Sequence, residues 1–159
     1  MKTTEIVRDN LLLKGLSRPV ALNAVDWKVK QQNPSASDSQ VQQETLETIR
    51  SLVDDGLFRL GDVQKFGFVV SKQPLDRSIQ KISHRYVGHY DNPKRWMYSA
   101  WMKLTVKGQQ LAESLEEGTI DSYRKHDAAQ DFSTHDIAQL RVQVERGLAE
   151  GDLLHRDVA

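Results

Sequence analysis

The chain contains no cysteine. That excludes a disulfide framework, zinc sites built on thiolates and any Cys nucleophile. Long apolar runs are missing as well: none approaches the roughly 20 residues a membrane span needs, and the opening MKTTEIVRDN lacks the apolar core of a signal peptide. The expectation is a cytoplasmic protein with no membrane partner. Nor is there an excess of one charge, because 22 Lys+Arg balance 22 Asp+Glu. Global electrostatics therefore gives no reason to expect a polyanionic partner. What is present is a chain of 159 residues, 38% hydrophobic and 28% charged, which reads as one compact domain or one domain with an appendage. A chain of this size buries roughly 68–70% of its unfolded surface, enough for a core without disulfides or a structural metal.

The neutral total hides an uneven distribution. Residues 1–70 carry 9 basic and 9 acidic side chains, residues 71–110 carry 8 and 2, and residues 111–159 carry 5 and 11. A basic middle is thus cancelled by an acidic tail, and the middle also holds Trp96 and Trp101. Segment asymmetry of this kind points to an interaction surface or to an internal charge pairing.

Local patterns give a run of helices around a small hairpin. Thr3 or Thr4 caps a first helix with Ile6, Val7, Leu11 and Leu12 inside and Gly15 at its end. Pro19 stops that helix, and Pro19–Leu22 is expected to be extended. Asn23, with Asp26 three residues on, is the expected cap of a second helix reaching Gln32, followed by the loop NPSASDS. Ser39 with Gln42 forms a capping box for a third helix carrying Val41, Thr45, Leu46, Ile49, Leu52 and Val53 up to Gly56. Leu57–Val63 and Phe66–Val70 are β-favouring and predict a hairpin that turns at Gly61-Asp62 or at Gln64-Lys65.

Beyond the hairpin, Pro74 suits a first helical turn, and Leu75, Ile79, Ile82, Tyr86 and Tyr90 form one apolar and aromatic stripe. Residues 98–104 fit strand or helix. Thr105 caps a further helix with Leu111, Ala112 and Leu115, expected to close at Gly118. Tyr123–Asp131 is polar enough for a linker, and Ser133 with Asp136 caps a last helix through Ile137, Leu140, Val144 and Leu148. A faint echo of Gly56 and Asp62-Val63 in Gly151 and Asp157-Val158 hints at a repeat. The fold class is mainly α (α+β).

The order helix, short strand, helix, loop, helix, hairpin across residues 3–70 resembles the winged helix-turn-helix. Two phrases carry the likeness: Leu52-Val53-Asp54-Asp55-Gly56-Leu57, similar to the end of a third helix entering the wing, and Leu104-Thr105-Val106-Lys107-Gly108, similar to the strand-to-helix junction after it. On this resemblance residues 1–118 form a winged-helix-like domain with a helical insertion at 74–90, and residues 119–159 an acidic linker and C-terminal helix. Residues 41–112 are also similar to a group of small uncharacterised actinobacterial proteins, through Leu57, Gly61-Asp62-Val63, Phe68, Leu75-Asp76, Ile79, Ile82, Tyr86, Trp96, Trp101, Leu104-Thr105 and Gly108. That likeness implies a shared fold and supplies no catalytic residues.

In winged-helix proteins the third helix enters the major groove. Here it carries Glu44, Glu47, Asp54 and Asp55 against Arg50 alone, and carboxylates oppose the phosphate attraction that dominates nucleic-acid affinity. Gln43 and Arg50 are the candidate base contacts of this alternative. The preferred surface is the basic middle. Arg77, Lys81 and Arg85 recur every four residues on a face separate from the apolar stripe, and Lys94, Arg95 and Lys103 follow. These six are the candidate partner-binding residues. A merely solvated helix face is the plain alternative, with Tyr86, Trp96 and Trp101 serving as core.

Signatures of enzymes are few. Gly56 and Gly61 have the spacing of P-loop glycines, but Asp62-Val63 replaces the Lys-Ser/Thr pair. His84 and His89 fall on different helical faces. His126-Asp127 and His135-Asp136 have the His-Asp pairing of metal-dependent phosphohydrolases without the further histidines such a site needs. Sequence therefore predicts a non-catalytic macromolecular binding module of adaptor or inhibitor type, with no cofactor and no metal and with a protein as partner. The alternative is a winged-helix DNA-binding transcriptional regulator.

Overall fold

A computed structural model of the chain describes residues 3–127, with side chains from Thr4 to Gly118. Within that span the protein is mainly α: five α-helices surround a small antiparallel sheet. The elements are α1 (Thr3–Gly15), β1 (Val20–Ala21), α2 (Leu22–Gln32), α3 (Asp38–Asp54), β2 (Phe58–Gln64), β3 (Gly67–Val70), α4 (Leu75–Gly88), a single 3-10 turn (Pro93–Arg95), β4 (Trp101–Leu104) and α5 (Val106–Asp127). None of the described helices is long and apolar enough to cross a membrane.

The strand order is β1-β4-β2-β3, so the last strand in sequence lies between the first and second. Register places Phe58 opposite Leu104 and Leu60 opposite Met102. These four side chains occupy the sheet face turned toward the helices, where Phe58, Leu60 and Met102 join Val7, Leu11, Val25, Val29, Ile49 and Leu52 in one core. Gly15 of α1 sits so close to this face that a Cβ there would come within 2.8 Å of Leu104. β4 settles the ambiguity of residues 98–104: alternation of half-buried Trp101, buried Met102 and exposed Lys103 is that of a strand.

The two glycine-bearing phrases meet in space. Gly56 takes φ +71° at the end of α3, and the amide of Leu57 returns to the Leu52 carbonyl at 3.0 Å, a Schellman closure. Thr105 then ties this corner to α5. Its hydroxyl donates to the Gly56 carbonyl and accepts from the Gly108 amide, its amide donates to the Leu57 carbonyl at 3.1 Å, and Lys107 Nζ donates to the Asp55 carbonyl at 2.9 Å. One threonine thus caps α5 and locks it to the exit of α3.

Several boundaries differ from expectation. α2 begins at Leu22, not after Asn23, because the amides of Leu22 and Asn23 are taken by the carbonyls of Ala100 (3.0 Å) and Met97 (3.1 Å). Tertiary carbonyls here replace a side-chain cap. In α3 the capping box is Ser37 with Gln40 rather than Ser39 with Gln42, a start that places Asp38 at the positive helix terminus. The hairpin turns through Lys65-Phe66, with Gly67 at φ +123°, while Gly61-Asp62 lies inside β2. Tyr90 falls beyond the end of α4. α5 continues through Gly118 to Asp127, so the boundary expected at 118 and the linker expected from 123 fall, as far as Asp127, within a helix. Gly118 does not take the left-handed conformation through which glycine ends a helix. The helix expected after Ser133, His135-Asp136 and the echo at Gly151 lie outside the described residues.

Candidate binding groove on α4

α4 is amphipathic in the way its stripe predicts: Ile79, Ile82 and Tyr86 are buried, with Leu75 half-buried at its start. The helix is held by a polar anchor beneath it. Asp26 of α2 is 1% exposed and accepts hydrogen bonds at Oδ1 from the hydroxyls of Tyr86 and Tyr90, the latter at 3.0 Å. Lys30, one turn along α2, places its ammonium 3.0 Å from Asp26 Oδ2 and 4.9 Å from the centre of the Tyr90 ring. Trp96 completes the cluster: it packs at 4.7 Å from Tyr86 and 5.3 Å from Tyr90, and its indole N–H donates to the Tyr90 carbonyl.

A buried carboxylate is costly unless it is paired and hydrogen-bonded, and here two phenols and one ammonium supply the partners. Burial, with the Asp26 carboxylate adding to it, holds the Tyr86 phenol far above its ordinary value. Tyr90 is pushed up to about 12 by burial and Asp26, against the opposing pull of Lys30. For Lys30 burial acts downward, but Tyr90 and Asp26 outweigh it and the net direction is up. The cluster is therefore a structural clamp, one that fixes the orientation of α4 on α2 and α3.

That orientation turns Arg77, Lys81 and Arg85 outward together. The three line an open groove of about 710 Å³ with Gln73, Gln80, His84, Ile82 and Ser99. All three cations are exposed, and none forms an ion pair with another described residue. At Gln73, Lys81, Ile82 and Ser99 the groove runs into a second one of about 410 Å³, whose lining includes Leu60, Val69, Val70 and Ala100. A cationic channel thus opens onto a mixed floor, in which Leu60, Val69 and Ala100 lie among Asp62, Ser71, Lys72 and Ser78.

Of the six residues predicted for partner binding, the structure brings together Arg77, Lys81 and Arg85. Lys94 and Arg95 are exposed on the 3-10 turn and outside the groove lining, and Lys103 projects from the sheet face opposite the core. Gln73, Gln80 and Ser99 are lining residues that the sequence reading missed. Gln80 lies three residues after Arg77 on α4, so the helical face was the available signal for it, whereas Gln73 precedes the helix and had none. Tyr86 and Trp96 are core as expected, and Trp101 is half-buried.

The alternative DNA contacts are placed differently. Gln43 is exposed on α3 and donates to Glu47 at 3.3 Å. Arg50 is ion-paired with Asp76 at the start of α4. The α3 cation expected to face a nucleic acid is thus engaged with the neighbouring helix. Among the described residues no group of three or more His, Asp or Glu side chains is placed to hold a metal ion. α5 packs on α1 and β4, and residues 111–118 contribute nothing to the lining of the α4 groove.

Comparison with protein-family models, with curated proteins and with solved structures finds no match to this chain.

Proposed function

We propose that the chain is a non-catalytic, cytoplasmic protein-binding module whose α4 groove takes an acidic, partly apolar segment of a partner. The observation that carries this is the convergence of three cations without an ion-pair partner among the described residues, Arg77, Lys81 and Arg85, over a groove that continues past Leu60, Val69 and Ala100. Solvation alone accounts for charged residues on a helix, but it does not require them to flank a concave surface of about 710 Å³. Seven of the eight residues that line it, all but Ile82, are polar or charged, a lining suited to a charged segment rather than to an apolar small molecule. Acidic side chains would meet the cations while aliphatic ones reach Leu60, Val69 and Ala100. The test is selection from a random peptide library. Enriched peptides should carry Asp or Glu beside apolar residues and should lose at least about tenfold in affinity for the Arg77→Glu/Lys81→Glu variant. Failure to enrich any peptide, or equal binding to that variant, would remove the proposal.

A winged-helix DNA-binding regulator is the second reading. The succession α1-β1-α2-α3-β2, with β4 returning between β1 and β2, supports it, since β3 and α4 then stand as an insertion into the wing. The acidic exposed side of α3 and the engagement of Arg50 by Asp76 weigh against groove insertion by that helix. A duplex mobility shift at low salt that disappears on Gln43→Ala with Arg50→Ala would favour this reading over the first.

A further inference from the structure

The sheet face opposite the core breaks a rule of strand pairing. Arg59 of β2 lies directly opposite Lys103 of β4, both exposed. Like charges in direct cross-strand register repel, and neither has a carboxylate partner among the described residues. Register also fixes their neighbours on this face as Gly61, Val63, Trp101, Phe68 and Val70, without an acidic side chain. Gly61 is required there, because a Cβ would lie 2.8 Å from the Phe68 ring and 2.1 Å from the Val69 carbonyl oxygen.

Next to the two cations stands an aromatic platform. The Tyr98 ring stacks on Trp101 with centroids 5.6 Å apart and planes 20° from parallel, and Tyr98 is 42% exposed. Both rings line a cleft of about 200 Å³ with Val63 and Pro19. None of these residues lines the α4 groove.

We infer that this face is a second binding site, for single-stranded nucleic acid, in which bases stack on Tyr98 and Trp101 while Arg59 and Lys103 meet successive phosphates. The chemistry of the face selects that ligand. A cation pair without a carboxylate partner among the described residues suits a polyanion, and the rings of Trp101 on β4 and of Tyr98 just before it offer a stacking surface for unpaired bases. A duplex would engage the cations and leave the rings idle.

Fluorescence anisotropy of labelled 12-nucleotide dT and rU oligomers at low salt tests the inference. Wild-type protein should bind, Tyr98→Ala should weaken binding about fivefold or more, and Tyr98→Phe should retain it. Arg59→Glu/Lys103→Glu should reduce the slope of log affinity against log salt by about 1.4 or more, the value for two lost phosphate contacts on a single strand. At about 0.15 M salt, where charges beyond about 8 Å are screened, the charge-removing α4 variant Arg77→Ala/Lys81→Ala should bind within about twofold of wild type, the outcome for two independent sites. Thermal unfolding of each variant checks that its fold is intact, and the Arg59/Lys103 pair, fully on the surface, provides the decision if Tyr98→Ala unfolds. Absence of binding, binding indifferent to these substitutions, loss in the α4 variant, or equal affinity for a duplex of the same length would each overturn it.

Discussion

Replacing Tyr86 by Phe removes one oxygen from the interior and leaves the ring in place. The phenol is fully buried and donates to a carboxylate that is itself 1% exposed. Its ring contacts with Trp96 at 4.7 Å and Tyr90 at 5.4 Å survive the substitution. No apolar surface is lost, so the cost is that of a hydrogen bond to a charged acceptor, about 1.5–3 kcal/mol. Oδ1 retains the Tyr90 hydroxyl and Oδ2 the Lys30 ammonium, which keeps the estimate nearer about 2 kcal/mol than the cost of an abandoned buried charge, about 3–5 kcal/mol. Urea unfolding should show a lower midpoint at an unchanged slope. Tyr90→Phe, at a half-buried position, should cost less, about 1 kcal/mol, and Asp26→Ala, which orphans both phenols, should cost more than either. A Tyr86→Phe effect below about 0.5 kcal/mol would refute the view that this cluster clamps α4 to α2.

The same cluster sets a response to alkali. Tyr86, Tyr90 and Lys30 hold their protons more tightly in the folded chain than in the unfolded one. Their contribution is complete below about pH 10, where the unfolded groups begin to ionise, and is lost as pH rises toward the Tyr90 value of about 12. Urea midpoints should therefore fall more steeply above about pH 10 in wild type than in Tyr86→Phe/Tyr90→Phe. At the junction of α3 and α5, Gly108→Ala would set a Cβ 2.0 Å from the Leu57 carbonyl oxygen. Helix propensity alone favours Ala by about 1 kcal/mol, yet this variant should be less stable by about 1–3 kcal/mol in thermal or urea unfolding.

Sequence made the helices legible wherever one side faces the core. Periodicity in α3 and α4 marks Val41, Thr45, Ile49 and Leu52, then Ile79, Ile82 and Tyr86, and all seven are buried. Starts and ends were harder, for an identifiable reason: α2 is capped by the carbonyls of Met97 and Ala100, some seventy residues away in the chain, and no local motif encodes a tertiary cap. Within the groove, the four-residue spacing of Arg77, Lys81 and Arg85 was readable because helical geometry alone brings them together. Lys94, Arg95 and Lys103 were grouped with them by charge count, which carries no direction in space, and strand register sends Lys103 to the other side of the sheet. Asp26, expected to accompany Asn23 at the helix start, instead pairs with Lys30 one turn on. Their role depended on Tyr86 of α4 and Tyr90 just beyond its end, which the sequence could place in the chain but not against α2.

The basic middle and acidic tail raise the question of internal neutralisation. As far as Gly118, the acidic side chains of α5 do not line the α4 groove, and Arg77, Lys81 and Arg85 keep their charges unpaired among the described residues.

A charge swap tests the protein-binding account most directly. Titration calorimetry would compare an acidic peptide obtained by selection with a copy in which its essential Asp or Glu residues are Lys. Wild type should bind the acidic peptide and not the lysine copy, while Arg77→Glu/Lys81→Glu should reverse that preference, recovering at least about tenfold in affinity for the lysine copy. If the variant loses the acidic peptide without gaining the lysine copy while Arg59→Glu/Lys103→Glu acquires it, or if neither variant alters the preference, the α4 groove is not the binding surface.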